Sequence, residues 1–230
     1  MADWITFWDS DHAIYVNARH RDAHYRKIAG DVATYLPSST AAVLDYGCGE
    51  ALHADRVAAA AERLILCEAA SQVRAALAQR FASNPKIAVL APEEAAALAP
   101  HSLDLIVLHS VAQYMTPTDA DALFARFRTL LKPDGSFVLG DVIPSAIPAV
   151  TDALALLRFG LAQGFFFAAV SGLVRTALSD YWRLRSTLGL TRYDEGPMIA
   201  KLKAAGFSAT HASKNIGHNP ARMTFVARPV

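Results

Sequence analysis

The residues with the clearest chemistry are Asp45-Tyr46-Gly47-Cys48-Gly49 and, some twenty positions on, Glu68. Two glycines separated by one residue let the backbone turn sharply and let a ligand approach where a Cβ would clash. An acid about 20 residues beyond such a loop, at the end of the next strand, accepts hydrogen bonds from a ribose hydroxyl. The pairing predicts a nucleoside-containing cofactor bound across the first two strands. A dinucleotide fingerprint would need a small residue at the sixth position of G-x-G-x-x-G; counted from Gly47, that position is Leu52. Asp45 lies inside the loop, where a carboxylate would repel a pyrophosphate but suits a ligand carrying an ammonium and a sulfonium.

The elements that must hold these residues alternate as in a doubly wound α/β fold. Apolar runs at 41–44, 64–67, 86–90, 104–108 and 136–140 read as strands. The run DLIVL is apolar throughout, as a central parallel strand buried on both faces should be. Between the strands lie helical stretches at 52–63, 71–81 and 118–131, the last with Leu123, Phe124, Phe127, Leu130 and Leu131 on one face. Lys132-Pro133-Asp134-Gly135 is turn chemistry. A helix at 194–205 is closed by Gly206, and strands at 207–212 and 223–228 end the chain.

With the D-x-G-x-G motif at Asp45, Gly47 and Gly49, the chain resembles the class I S-adenosylmethionine (SAM)-dependent methyltransferases of small-molecule type. DLIVLHSVAQYM, LKPDGSFVLGD and LKAAGF resemble that family's later motifs, so the likeness spans about residues 41–144 and 194–228. It implies a Rossmann-like sheet of seven strands with the last antiparallel, and SAM as cofactor, with S-adenosylhomocysteine as product. The cofactor would lie against Asp45, Tyr46, Gly47, Cys48, Gly49, Glu68, Ala69, Glu93, His109 and Ser110. One position departs from the family: where many relatives carry an acid that caps the adenine amino group, this chain has Pro92, leaving Glu93 or a backbone group to serve.

Two regions outside the sheet are expected to form the acceptor site. The N-terminal segment carries Trp4, Phe7, Trp8, Tyr15, His20, His24 and Tyr25, with His20 and His24 on one helical face. That spacing can bind zinc, but no intervening Glu or third ligand supports a metal. Tyr15 is expected over the methionine end of the cofactor, and His24 and Tyr114 beside the acceptor. The second region is an insertion whose residues 159–174 read FGLAQGFFFAAVSGLV, without a charge. It is too short to span a membrane. It reads as a helical hairpin capping the sheet, with Phe165, Phe166 and Phe167 lining an acceptor pocket. It also allows peripheral membrane contact, with Arg175, Arg183 and Arg185 near anionic headgroups.

A sulfonium is already an activated donor, so the protein chiefly has to align the reactants and exclude water. A base is needed only where the acceptor must lose a proton. His109 after the fourth strand is the leading candidate; Asp141 and His218 are the others at the mouth of the sheet. Asp141 could instead cap a turn, and His218 could be only a loop residue.

Overall organisation is expected to be one domain: an N-terminal helical lid (1–40), the cofactor core (41–144), a helical cap (145–192) and a C-terminal helix with strands (193–230). Formal net charge is +1 over 230 residues, with no basic run, which argues against nucleic acid as a partner. Cys48 and Cys67 have no metal-type spacing and read as free thiols in a reducing cytosol. The N-terminus does not read as a secretory signal, so a cytoplasmic enzyme with a small-molecule acceptor is expected. An NAD-dependent oxidoreductase shares the strand–glycine–acid pattern but would want the missing small residue and a Tyr-x-x-x-Lys pair. A SAM-binding protein without transfer activity stays open, since no indispensable base is visible.

Overall fold

The computed structural model describes residues 2–9, 15–177 and 189–230. Seven strands form one sheet: β1 (Ala42–Tyr46), β2 (Arg63–Cys67), β3 (Ile87–Leu90), β4 (Leu103–His109), β5 (Leu131–Val142), β6 (Phe207–His211) and β7 (Met223–Pro229). Their order is β3-β2-β1-β4-β5-β7-β6, and β7 runs antiparallel to both of its neighbours. The expected doubly wound sheet of seven strands is therefore present.

Alternation along the strands builds two cores. On β4, Leu105 and Val107 join Val43, Leu64, Leu66 and Val138 on one face of the sheet. Ile106 and Leu108 face the other way, where they meet Phe124, Phe127 and Phe137. Helices α3 (Ala54–Ala59), α4 (Ser71–Arg80), α5 (Pro92–Ala96) and α6 (Pro117–Leu130) connect the strands, and α9 (Glu195–Ala204) precedes β6. Helix α6 buries Phe124, Phe127 and Leu130, the face its periodicity predicts. The helix after β1 is shorter than its composition suggests, because residues 47–53 are taken up by the turn that carries the glycines.

Register fixes where the chemistry falls. Tyr46 pairs with Cys67 on one side and Leu108 on the other, so β1, β2 and β4 end level with one another. Everything just after these strands therefore shares one edge. At the opposite edge, the Asp104 carboxylate accepts the Ala42 N–H at 2.8 Å and Lys132 Nζ at 2.8 Å, tying together the starts of β1, β4 and β5. The expected turn at 132–135 is absorbed as a register jump: Leu103 pairs with Leu131, while Leu105 pairs with Ser136.

Four further helices stand over the functional edge or beside it. These are α1 (Ala2–Trp8), α2 (Ala18–Ala33), and a hairpin of α7 (Ala149–Gln163) and α8 (Phe166–Ala177). Asn17 starts α2 by accepting the His20 N–H at 2.8 Å. Asp9, just past α1, accepts Gln72 N–H at 2.6 Å and the Ser71 hydroxyl at 2.9 Å, pinning α1 to the first turn of α4.

The hairpin corrects one expectation. Phe165 is buried, Phe166 is half-buried, and Phe167 is 87% exposed. Three consecutive residues leaving a turn and entering a helix point about 100° apart, so they cannot line one pocket together. Phe165 stacks on His20 at 4.9 Å instead, and none of the three reaches the cavity. Arg183 and Arg185 lie outside the described residues. Among the described residues, no helix is long and apolar enough to cross a membrane.

Candidate active site

The ends of β1 and β2 meet in a small hydrogen-bonded unit. Cys67 O accepts the Gly47 N–H at 2.8 Å and the Cys48 N–H at 3.3 Å. Gly47 and Gly49 hold φ angles of 72° and 58°, a region that L side chains rarely adopt. Space demands glycine as well: a Cβ on Gly47 would run into Val111, and one on Gly49 would come within 2.7 Å of the Tyr25 hydroxyl. Glu68 closes the unit from the other side. Its Oε2 accepts the Gly49 N–H and its Oε1 accepts the Ala70 N–H, each at 2.9 Å. A carboxylate has about four lone-pair sites, so both oxygens keep capacity for a ligand. Beneath them, burial together with the Glu68 charge pushes the Asp45 carboxyl up to about 7.

Tyr25 is a contributor that sequence reasoning did not assign to this loop. Its hydroxyl accepts the Glu50 N–H at 3.0 Å and the Tyr15 O–H at 3.0 Å, which links helix α2 and the segment before it to the glycine turn. Burial raises the ionisation of both phenols well above the ordinary range, so both stay neutral donors and acceptors.

The ends of β4 and β5 supply a second unit. Ser110 and Asp141 both have positive φ, 58° and 61°, and the Ser110 hydroxyl donates to the Asp141 carboxylate. Asn215, in the loop after β6, accepts the Asp141 N–H at 3.1 Å. Asp141 therefore does not cap the following turn; it bridges β4 and the loop after β6. His109 points into the same corner, with Nε2 3.3 Å from Ile216 O. A carbonyl can only accept, so Nε2 carries the proton and Nδ1 keeps the lone pair.

Above these units lies a group of four imidazoles. The His24 ring centre is 6.2 Å from His20, 6.5 Å from His109 and 6.2 Å from His218. Tyr15 packs on His24 at 5.4 Å, and His218 stacks on Phe159 at 4.7 Å. Desolvation lowers the basicity of all four, His20 to about 4 and His24 strongly, so the group is neutral near pH 7. Among the described residues, no three His, Cys, Asp or Glu side chains are set to hold a metal ion together.

All these groups line one cavity of about 1040 Å³. Its wall includes Asp45, Tyr46, Gly47, Cys48, Gly49, Glu68, Ala69 and Glu93 at the β1–β2–β3 end. His109, Ser110, Tyr114 and Asp141 follow β4 and β5, and Tyr15, His24 and His218 complete it. Every residue named for the cofactor, and His24, Tyr114, Asp141 and His218 named for the acceptor, thus reach the same space, whereas Phe7 and Phe165 to Phe167 do not. From the N-terminal segment, Trp4 and Trp8 lie on the Tyr114 ring at 4.6 and 5.8 Å, and two residues not singled out join them. Asn219 and Arg222 both hydrogen-bond the Asp152 carboxylate at the hairpin side. Aromatic enrichment near the N-terminus hints at the first pair; no local pattern marks the second.

Residues 43–135 match the family model described as a methyltransferase domain. No curated protein matches the chain in sequence. Among solved structures, the fold is similar to PigF with S-adenosylhomocysteine, at 21% identity and a TM-score of 0.60, over 87% of this chain and 54% of that one. The mitomycin 7-O-methyltransferase MmcR is 19% identical with a TM-score of 0.59, over 87% and 53% of the two chains. This chain thus spans about half the length of either. A SAM-dependent methyltransferase from Leishmania major is 12% identical with a TM-score of 0.60, over 99% of this chain and 81% of that one. The glycine turn, the acid after β2 and strands β2 to β4 fall within the matched segment, while β6 and β7 lie beyond it. Over residues 43–135 the chain thus matches a methyltransferase domain, and its seven-stranded sheet is the fold it shares with these solved structures.

Proposed function

We propose that the chain transfers a methyl group from SAM to a small, largely apolar acceptor held between the N-terminal segment and the α7–α8 hairpin. The observation that carries this reading is a continuous cavity of about 1040 Å³ running from Glu68 and the glycine turn to His218 and Leu156. The cradle suits the cofactor: Gly47 and Gly49 allow the tight positive-φ turn in the cavity wall, with Val111 and the Tyr25 hydroxyl packed against them, and the Glu68 carboxylate has acceptor capacity left for ribose hydroxyls. Glu93 flanks the adenine end, and Asp45, one residue before the end of β1 rather than in the loop as its spacing suggested, faces the cavity where a cationic amino-acid portion would come. When bound, the cofactor supplies a methyl group already activated on sulfur. The chain's own task is to align the acceptor and keep water out, for which Trp4, Trp8 and the hairpin are placed.

Calorimetry with S-adenosylhomocysteine should give micromolar binding, about −8 kcal/mol. Methyl-labelled SAM should mark apolar acceptors in preference to polar ones. Tighter binding of NAD than of S-adenosylhomocysteine would sink the reading. Burying an acceptor ring contributes about 1.5–3 kcal/mol, so selectivity by apolar contact is within reach.

A second reading concerns where the acceptor resides. The hairpin turns Leu161, Phe167 and Val174 outward, each at least 62% exposed, beside the exposed Arg158 and Arg175. That pattern favours an acceptor taken from a lipid surface. Salt-sensitive flotation with anionic liposomes would support it; absence of flotation returns the acceptor to solution.

A further inference from the structure

Within the cavity, the imidazoles differ in how far the protein has already used them. His20 accepts the Val16 N–H through Nδ1 at 3.3 Å, and His109 donates to Ile216 O. His24 and His218 have no hydrogen-bond partner among the described residues, yet both line the cavity. Both rings are half-buried and open onto the cavity, so two imidazoles 6.2 Å apart between ring centres, neither hydrogen-bonded by a described residue, offer a place for a polar group of the ligand. The surroundings say which kind. His24 is faced by Tyr15, His20 and Tyr25 from its own end of the chain, by His109 from β4 and by His218 from the last loop, none of them anionic. His218 is faced by Phe159 and by His20, His24 and His109. It also feels the Asp141 and Asp152 carboxylates, which favour its charged form, and Arg222, which opposes it.

We propose that His24 and His218 together receive an ionisable hydroxyl of the acceptor, a phenol or enol, and that the transfer is therefore an O-methylation. This rests on the methyltransferase reading above. His24 donates a ring N–H to the acceptor oxygen, and His218 takes its proton. The O–H bond breaks toward the His218 nitrogen; the oxygen's electron pair forms the bond to the methyl carbon; the carbon–sulfur pair stays on sulfur. Net charge inside the cavity is unchanged by the proton step, because an oxyanion and an imidazolium appear together. Burial resists the addition of a lone cation to this group of rings. An ammonium-bearing acceptor would bring one in, whereas a hydroxyl does not. Asp141, whose carboxylate is already fixed by the Ser110 hydroxyl, stabilises the charged His218.

The test uses 4-nitrophenol, whose neutral and ionised forms absorb at different wavelengths, titrated into the protein saturated with S-adenosylhomocysteine. The bound dye should absorb as the anion at a pH where the free dye is mostly neutral. His218→Phe should abolish that spectral shift, and His24→Phe should weaken dye binding at least tenfold. His24→Asn and His218→Asn provide the same readouts should either Phe variant fail to fold. The proposal is overturned if the complex does not bind the dye, or if 4-nitroaniline binds as tightly. It is equally overturned if the variants keep both affinity and spectrum. Failure of the wild-type protein to bind S-adenosylhomocysteine would instead defeat the methyltransferase reading beneath it.

Discussion

Ser110 and Asp141 face each other across the ends of β4 and β5, both held at positive φ and joined by a hydrogen bond from hydroxyl to carboxylate. Non-glycine residues in that region cost of order 1 kcal/mol or more and persist where the surroundings over-determine them. Ser110→Ala keeps the strain and loses the bond, and should cost about 1–3 kcal/mol in chemical denaturation. Ser110→Gly loses the same bond but relieves the backbone, so it should be the more stable of the two. Equal stability of the variants would mean that the strain is not stored there.

Gly47→Ala should lose S-adenosylhomocysteine binding in calorimetry, because the residue sits at φ 72° and its Cβ would meet Val111. Pairing it with Val111→Ala restores space but not backbone freedom. The double variant should regain only part of the stability lost by the single one, and full recovery would assign the requirement to packing alone.

Glu68→Ala should weaken S-adenosylhomocysteine binding by about 1.5–3 kcal/mol, the usual value of a hydrogen bond to a charged group. Glu68→Gln should be no rescue. Both carboxylate oxygens accept backbone N–H groups, from Gly49 and Ala70, and an amide must turn its NH2 against one of them. Unchanged affinity in either variant would remove Glu68 from the cofactor site.

Two pH dependences of opposite sign follow from burial. His20 titrates near 4 when folded against an ordinary 6.5, so between those values the unfolded chain binds more protons. Stability should therefore fall as pH drops from about 6.5, by at most about 3 kcal/mol once it reaches about 4. His20→Phe should flatten that part of the profile in urea melts.

Asp45 behaves in the other direction, with its folded value raised to about 7 from 3.8. It disfavours the folded state progressively as pH rises through that window. A ligand carrying an ammonium favours the ionised form, so S-adenosylhomocysteine affinity should rise between about pH 6 and 8. Asp45→Asn should remove the slope; an unaltered slope would place the titrating group elsewhere.

What was legible in the sequence was whatever local spacing controls. Gly47, Gly49 and Glu68 were readable because a strand, a turn and the next strand fix their separation, and the parallel register does the rest. Contacts set by the docking of distant elements were not. Tyr25 reaches Glu50 from 25 positions away, and His109 meets Ile216 across 107; neither leaves a periodic trace. The run from Phe165 to Phe167 was misread for a related reason. A continuous apolar stretch carries no phase, so composition alone could not tell the ring that packs on His20 from the one that faces solvent.

The Asp104 carboxylate, with Ala42 and Lys132 gathered on it, has a practical consequence. It finishes the edge of the sheet opposite the cavity, using only side chain and backbone atoms of residues that do not line it. The molecule therefore has a handle. An affinity tag, a surface tether or a fused reporter grafted into the turns at 82–86 or 99–102 would leave the cavity pointing outward, and the chain could be anchored by that edge while its ligands are exchanged.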